Sequence, residues 1–267
     1  MNGYEEFKKN INSLTGIDLS LYKERQMRRR IESLMNKNRF ENFESYSLEL
    51  EKHKKKIEKD NSNLYEEFLK HITINVSEFY RNPNQWVVLE KIILPEMIKR
   101  KNGKPLKVWS SACSSGEEPY SLVMLLSKFF DLNKIEVLAT DLDKAIIAKA
   151  KQGLYAINSL KCLPKSFIQM YFREVNGLYK IDDKIKSRVS FKQMDLLKDP
   201  FPKGYDLILC RNVIIYFTEE SKDILYNKFN NSLVNDGILF VGCTEQIMNP
   251  HIYNLKSDQT FFYKKYS

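Results

Sequence analysis

Residues 108–121, VWSSACSSGEEPYS, restrict this chain more than any other stretch of its 267 residues. An apolar opening passes through small side chains and one glycine into two acids, a proline and an apolar run. That order reads as a buried strand, a tight turn and a helix start, the place where an open α/β sheet holds a nucleotide-like ligand. Carboxylates there would repel a phosphate. They suit a ligand with ribose hydroxyls and a positive charge, such as S-adenosylmethionine.

The surrounding rhythm agrees. From Pro105 onward strand patterns alternate with helical ones, as in a mostly parallel sheet. Strands are expected over Lys107–Ala112, Ile135–Thr140, Val189–Met194, Tyr205–Cys210 and Ile238–Gly242. Helices are expected over Glu118–Phe130, Lys144–Lys151 and Glu219–Val234, with an antiparallel pair within Tyr253–Tyr266. Gly153 to Arg188 is too long for a simple crossover, and Gly177 between short alternating runs predicts an inserted hairpin or small sheet. Residues 1–74 read instead as a helical domain, with Phe7, Ile11 and Leu14 on one stripe. A second helix over Leu21–Lys37 buries Met27, Ile31, Leu34 and Met35 and projects Arg25 and Arg29 from its other face, with Arg28 on the flank. The run His53 to Lys56 reads as a solvated helix face. The expected domains are therefore 1–74 and 75–267, the second carrying an insertion at about 153–188.

Composition narrows the function classes only a little. The 43 basic residues outnumber the 34 acidic ones, for a net charge of +9. An excess of that size aids solubility or meets an acidic partner. Cys113, Cys162, Cys210 and Cys243 form no CxxC pair, so neither zinc nor a disulfide framework is expected. The start MNGYEEFKKN has no apolar core, and no run approaches the roughly 20 apolar residues that span a bilayer. A cytoplasmic protein with reduced thiols, no metal and no membrane insertion is expected.

Four places carry candidate chemistry. In the turn Ser110–Glu118, Gly116 allows close backbone approach, although an ordinary strand-to-helix connection has the same look. Asp141 ends the second strand and is placed to accept from a ribose diol, or else to cap the next helix, for which Asp143 competes. After the fourth strand, CRNVIIYF (210–217) would turn Arg211, Asn212 and Tyr216 to the ligand crevice, while Val213, Ile214 and Phe217 read as core. Before the sheet, INVSEFYR (74–81) interleaves Asn75, Ser77 and Arg81 with apolar residues, which by itself also fits a helix cap at a domain boundary.

These blocks occur together and in order, along with MDLL (194–197) and GILFVGCTE (237–245). In them the chain closely resembles the CheR family, the S-adenosylmethionine-dependent methyltransferases of chemoreceptor glutamates. The resemblance implies a class I, Rossmann-like methyltransferase fold with a mostly parallel seven-stranded sheet, a small all-α N-terminal domain and a β-subdomain insertion. It implies cofactor contacts from Asn75, Ser77, Arg81, Gly116, Glu118, Asp141, Asp195, Leu196, Arg211 and Asn212, with catalytic roles for Arg81 and Tyr216. Many relatives have Asn where this chain has Asp195, an exchange that keeps an acceptor and loses a donor. Ser77 and Ser115 stand where relatives often have Thr.

The implied reaction moves the sulfonium methyl to a glutamate oxygen, giving a methyl ester and S-adenosylhomocysteine. A glutamate of pKa about 4.3 is already ionised at neutral pH, so no general base is needed. The implied partners are methyl-accepting chemotaxis receptors, met as a monomer through Arg25, Arg28 and Arg29, with no nucleic acid. The short loop at Val175-Asn176-Gly177 favours a form independent of a receptor tether peptide. Rival readings are a methyltransferase of another acidic protein or of nucleic acid, which CRNVIIYF in place of [DNS]PP[YF] disfavours, and a non-catalytic adaptor.

Overall fold

Ten strands occur among the described residues (3–55 and 63–266) of the computed structural model. They are β1 (Val108–Ser110), β2 (Val137–Asp141), β3 (Leu154–Tyr155), β4 (Phe172–Val175), β5 (Leu178–Ile181), β6 (Val189–Gln193), β7 (Tyr205–Cys210), β8 (Leu233–Val241), β9 (Leu255–Gln259) and β10 (Phe262–Lys265). Seven build one sheet in the order β6-β2-β1-β7-β8-β10-β9. β6, β2, β1, β7 and β8 are mutually parallel, and β10 runs antiparallel between β8 and β9. Chain order reverses between β1 and β7, and open sheets bind ligands beyond the carboxyl ends of strands at such a switch point.

The sequence explains the centre of this sheet. All six residues of YDLILC in β7 are buried, as expected of a parallel strand covered on both faces. The following element of the motif, the helix Glu117–Leu126, is buried at every position from Pro119 to Leu126. Trp109, Phe201, Tyr205 and Phe229 pack as one aromatic group, with Phe201 edge-on to Trp109 at 4.9 Å. The insertion forms a separate antiparallel sheet, β3-β5-β4. Asn176 (φ 51°) and Gly177 (φ 76°) make its hairpin turn, and two consecutive positive φ angles are what a two-residue type I′ turn requires.

The chain divides into two compact units, one running up to Asn75 and including 216–223, the other comprising 76–215 and 224–267. In the helical unit, helices over Gly3–Thr15, Glu24–Lys37, Phe43–Lys55 and Leu64–Thr73 enclose Tyr4, Phe7, Ile11, Met27, Ile31, Leu34, Tyr46 and Phe68. Its second helix starts three residues later than expected. Leu19–Leu21 form a 3₁₀ turn capped by the Asp18 carboxylate, and Tyr22 is drawn into an antiparallel bridge with Phe217. The Lys23 amide donates to the Tyr216 carbonyl at 2.8 Å, so the end of CRNVIIYF belongs with the helices and not with the sheet. Of the basic run 53–56, Lys56 lies outside the described residues.

One stretch is helical where no helix was expected, Pro83–Arg100. Its middle, Leu89–Ile93, is a π-helical turn in which the Leu94 amide reaches back to the Leu89 carbonyl. Pro95 follows at once and has no N–H to give, so the local widening coincides with a break in the ordinary ladder. Among the described residues no helix is long and apolar enough to cross a membrane.

Candidate functional site

The carboxyl ends of β1, β2 and β7 bring several predicted residues into two hydrogen-bonded groups. The first is built on Arg211, directly after β7, whose side chain is 2% exposed. Nη1 donates to Glu118 Oε2 at 3.2 Å, and Nη2 donates to the Arg81 carbonyl at 2.7 Å and to Asn82 Oδ1 at 3.2 Å. Ser110 Oγ donates to the other Glu118 oxygen at 2.8 Å. The guanidinium also lies 4.7 Å from the centre of the Phe240 ring, a cation–π contact in a dry setting. Arg211 thus ties β7 to β1 and to the loop ahead of Pro83. Burial raises the Glu118 pKa, and Arg211 opposes the rise.

The second group is built on Asp141 at the end of β2. Its Oδ2 accepts from the Ser114 amide at 2.8 Å and its Oδ1 from the Asp143 amide at 3.0 Å. Burial pushes this carboxyl up to about 6, against those amides. Asp143 itself caps the next helix, accepting from the Ala145 and Ile146 amides. The helix-capping alternative for Asp141 therefore falls to its neighbour. Asp195 stands beside Asp141, because Met194 donates to the Asp141 carbonyl at 2.9 Å. The Asp195 carboxylate accepts from the Leu197 amide, Leu196 is buried, and the Leu196 carbonyl accepts from Lys228.

Backbone strain gathers at the same edge. Tyr80, Asn82, Ser114 and Asn212 all have φ between 48° and 61°, a conformation that costs non-glycine residues energy and persists where surroundings impose it. Gly116 has φ 95°, and a Cβ there would meet Ala150 Cβ and Tyr120 Cε2 at 3.0 Å and the Tyr155 hydroxyl at 3.1 Å. The glycine is demanded by its backbone angle and by that packing.

Ser77 and Arg81 belong to this unit. Ser77 hydrogen-bonds to Glu117, and Arg81 Nη1 donates to the Val76 carbonyl at 3.1 Å. Asn75 and Tyr216 belong to the helical unit, where Asn75 Nδ2 donates to Thr73 Oγ1 at 3.0 Å. Arg25 and Arg29 are exposed there, whereas Arg28 pairs with Glu32 at 2.8 Å and lies over the Tyr4 ring.

The pattern of residues 2–73 matches the family described as CheR methyltransferase, all-alpha domain, and that of residues 75–262 matches CheR methyltransferase, SAM binding domain. The chain belongs to the CheR methyltransferase family. A chemotaxis protein methyltransferase of Listeria monocytogenes is 44% identical over 98% of this chain and 97% of its own length. One from Borreliella burgdorferi is 34% identical over 87% and 83%, and one from Salmonella typhimurium 32% identical over 71% and 66%.

The cofactor of this CheR-family chain is S-adenosylmethionine, and the edge just described fits it. The Asp141 carboxylate takes the Ser114, Asp143 and Leu142 amides, and of its roughly four lone-pair sites one remains for a further donor, as a ribose hydroxyl would be. Ser114 Oγ is buried without a hydrogen-bond partner, a polar atom left for a ligand to satisfy. Glu117, Glu118 and Asp141 put more negative than positive charge here, which suits a sulfonium.

Two functional-looking acids carried no individual role in the sequence reading. Glu117 is 3% exposed and accepts from Ser115 Oγ with both oxygens, at 2.9 and 2.7 Å. Glu245 is 4% exposed and is ringed by main-chain amides. The first follows Gly116 and the second follows Gly242 by three residues, and an acid just after a glycine in a loop at the ligand end of a strand is the signal that could have found them.

Proposed function

We propose that this chain transfers the methyl group of S-adenosylmethionine to glutamate side-chain carboxylates on the cytoplasmic helices of methyl-accepting chemotaxis receptors. The products are glutamate methyl esters and S-adenosylhomocysteine. The observation that carries this reading is the excess of buried carboxylate over guanidinium at the switch point, in a chain of the chemotaxis methyltransferase family. The cofactor supplies an electrophilic methyl on a cationic sulfur. The chain's residues need only bind, orient and exclude water, because the acceptor is already an anion.

In this reading Asp141 accepts from the ribose and Asp195 and Leu196 flank the base. Ser77, Gly116, Glu118, Arg211 and Asn212 line the donor, and the family resemblance adds Asn75 to these contacts. Arg81 turns the incoming carboxylate, and Tyr216 helps to hold acceptor against donor. Among the described residues Arg81 forms no ion pair, and its guanidinium rests on a main-chain carbonyl, which leaves its charge uncompensated. The histidines need no part in the chemistry: His53 and His71 stand in the helical unit, and His251 in the turn Pro250–Tyr253. Arg25 and Arg29, with Arg28 partly engaged by Glu32, serve as a basic face toward a Glu-rich helix. Holding the reactants aligned can lower the barrier by up to ~7–11 kcal/mol in well-oriented systems.

The test is an incubation with methyl-labelled cofactor and receptor-rich membranes, followed by mild base. Label released as methanol is the expected result, since carboxyl esters are cleaved and N-methyl groups are not. Label that stays on protein or nucleic acid after base would overturn the glutamate assignment.

A further inference from the structure

Glu245 lies in the turn after β8, and its carboxylate is buried with no cation paired to it among the described residues. Oε2 accepts from the Asn212 amide at 2.6 Å and the Gly242 amide at 2.8 Å, and Oε1 accepts from the Ile215 amide at 3.2 Å, with the Ile214 amide adding to the ring. Burial raises its pKa and these amides oppose the rise. The arrangement is close-packed: a Cβ on Gly242 would lie 2.4 Å from Glu245 Oε2, 2.8 Å from the Asn212 nitrogen and 3.1 Å from Asn212 Nδ2. A buried carboxylate is an expensive way to end a strand, and an apolar residue would serve a plain turn better. What the carboxylate does is hold Asn212 at φ 61° and fix the path of 212–215 immediately beyond β7.

The geometry points to Glu245 as a positioning residue for the cofactor site: through four amides it sets the left-handed turn that presents Arg211 and Asn212 to the methyl donor, and Gly242 is the glycine that admits it. This rests on the reading of Arg211 and Asn212 as cofactor contacts. Glu245 touches main chain, so its effect belongs to donor binding and not to the acceptor.

Glu245→Gln keeps the shape and removes the match, because the Gln amide would aim N–H groups at N–H groups. The expected result is an affinity for S-adenosylhomocysteine, measured by calorimetry, about 10- to 30-fold weaker. KM for the donor should rise by a similar factor and kcat should change less than threefold. Gly242→Ala should reproduce this from the opposite side of the contact. Asp206→Asn is the control. Asp206 is equally buried, accepts from Lys101 and the Lys107 amide at the other end of the sheet, and its loss should lower the melting temperature with affinity kept within twofold. Where Glu245→Gln does not accumulate folded, Glu245→Asp, which keeps charge and loses reach, takes its place with the same expectation. Unchanged affinity in Glu245→Gln, or an equal loss in Asp206→Asn, would overturn the positioning role. Asn212→Ala separates the two layers: if it alone leaves affinity unchanged, the reading of the loop as a cofactor contact fails, and if it weakens binding while Glu245→Gln does not, the positioning inference fails.

Discussion

The two ends of the parallel sheet treat buried acid in opposite ways. At the amino-terminal end of β7, Asp206 meets Lys101 Nζ at 2.8 Å and the Lys107 amide at 2.8 Å, so its charge is answered by a cation. At the carboxyl ends, Glu117, Asp141 and Glu245 are answered by hydroxyls and main-chain amides, and only Glu118 has a guanidinium. Amides and hydroxyls satisfy lone pairs without neutralising charge. One end is therefore electrostatically closed, while the other retains a negative field in a poorly hydrated setting. A cationic ligand lowers the energy of the second end and would do nothing for the first.

The largest expected effect comes from removing the buried cation that pairs with Glu118. Arg211→Ala leaves Glu118 buried without its partner, and strips donors from Arg81 and Asn82. Unpairing a buried ion of this kind costs about 3–5 kcal/mol, read as a lower denaturation midpoint at unchanged slope. Adding Glu118→Gln should recover a good part of the loss, since the stranded charge goes with it. Full additivity of the two changes would break the comparison, because it would mean that Glu118 does not depend on Arg211.

Asp141→Asn comes next. Losing hydrogen bonds to a charged acceptor costs about 1.5–3 kcal/mol, or roughly 10- to 100-fold in affinity for S-adenosylhomocysteine. The same carboxyl gives a pH dependence whose sign is fixed. Its folded pKa, about 6, lies above the ordinary aspartate value, so the folded protein binds a proton that the unfolded chain releases. Stability without ligand should therefore rise as pH falls through 6, while affinity for a ligand that needs the ionised acceptor should decline over the same range. In Asp141→Asn the step in affinity near pH 6 should vanish. Its persistence would assign the titration to another acid of the site.

Gly116→Ala tests whether strain at this edge is imposed by packing. With φ at 95° and three neighbours at 3.0–3.1 Å from the new Cβ, the cost should be about 1–3 kcal/mol in stability. The same change at Gly177, where φ is 76° but no atom lies within 4 Å, should cost only the backbone share. Equal costs at the two glycines would remove packing from the explanation.

Much of this was legible before any coordinates. Period and punctuation located β2, β6, β7 and the helices after β2 and β7 to within about two residues, because each carries an apolar run or periodic stripe between breakers. Asn176-Gly177 was readable as a hairpin from turn chemistry alone. The failures share a cause, which is that contacts distant in sequence overrode local signals. The helix over Pro83–Arg100 was hidden by Pro95, whose effect the π turn absorbs. Tyr22 left its helix because Phe217, almost two hundred positions later, offered a bridge. Tyr216 reads as part of one motif with Arg211, yet its main chain is held by Lys23 in the helical unit. Residue types and order made Asp141 and Arg211 candidates and the family resemblance added Glu118, but nothing local showed that Arg211 faces Glu118. Glu245 carries a local signal, an acid three residues past Gly242, but its weight shows only once the ends of β7 and β8 are known to be neighbours.

The smallest expected effect concerns exposed charge, where the contrast with the buried site is sharpest. Arg25 and Arg29 are exposed, and water and salt surround them, so each can contribute little to folding. In the proposed function they meet an acidic helix, where summed charge would raise association rates at low ionic strength. Arg25→Glu with Arg29→Glu should slow receptor methylation at low substrate by about tenfold in dilute buffer. The deficit should shrink toward nothing in ~0.5 M salt, where the screening length falls to a few ångströms. S-adenosylhomocysteine affinity should not move in either buffer, because the buried acids at the strand ends are screened far less. A salt-independent defect, or a parallel loss of cofactor affinity, would mean that the two arginines act on the fold and not on the partner. Arg28→Glu should add less than either neighbour, since part of its charge is already spent on Glu32 at 2.8 Å.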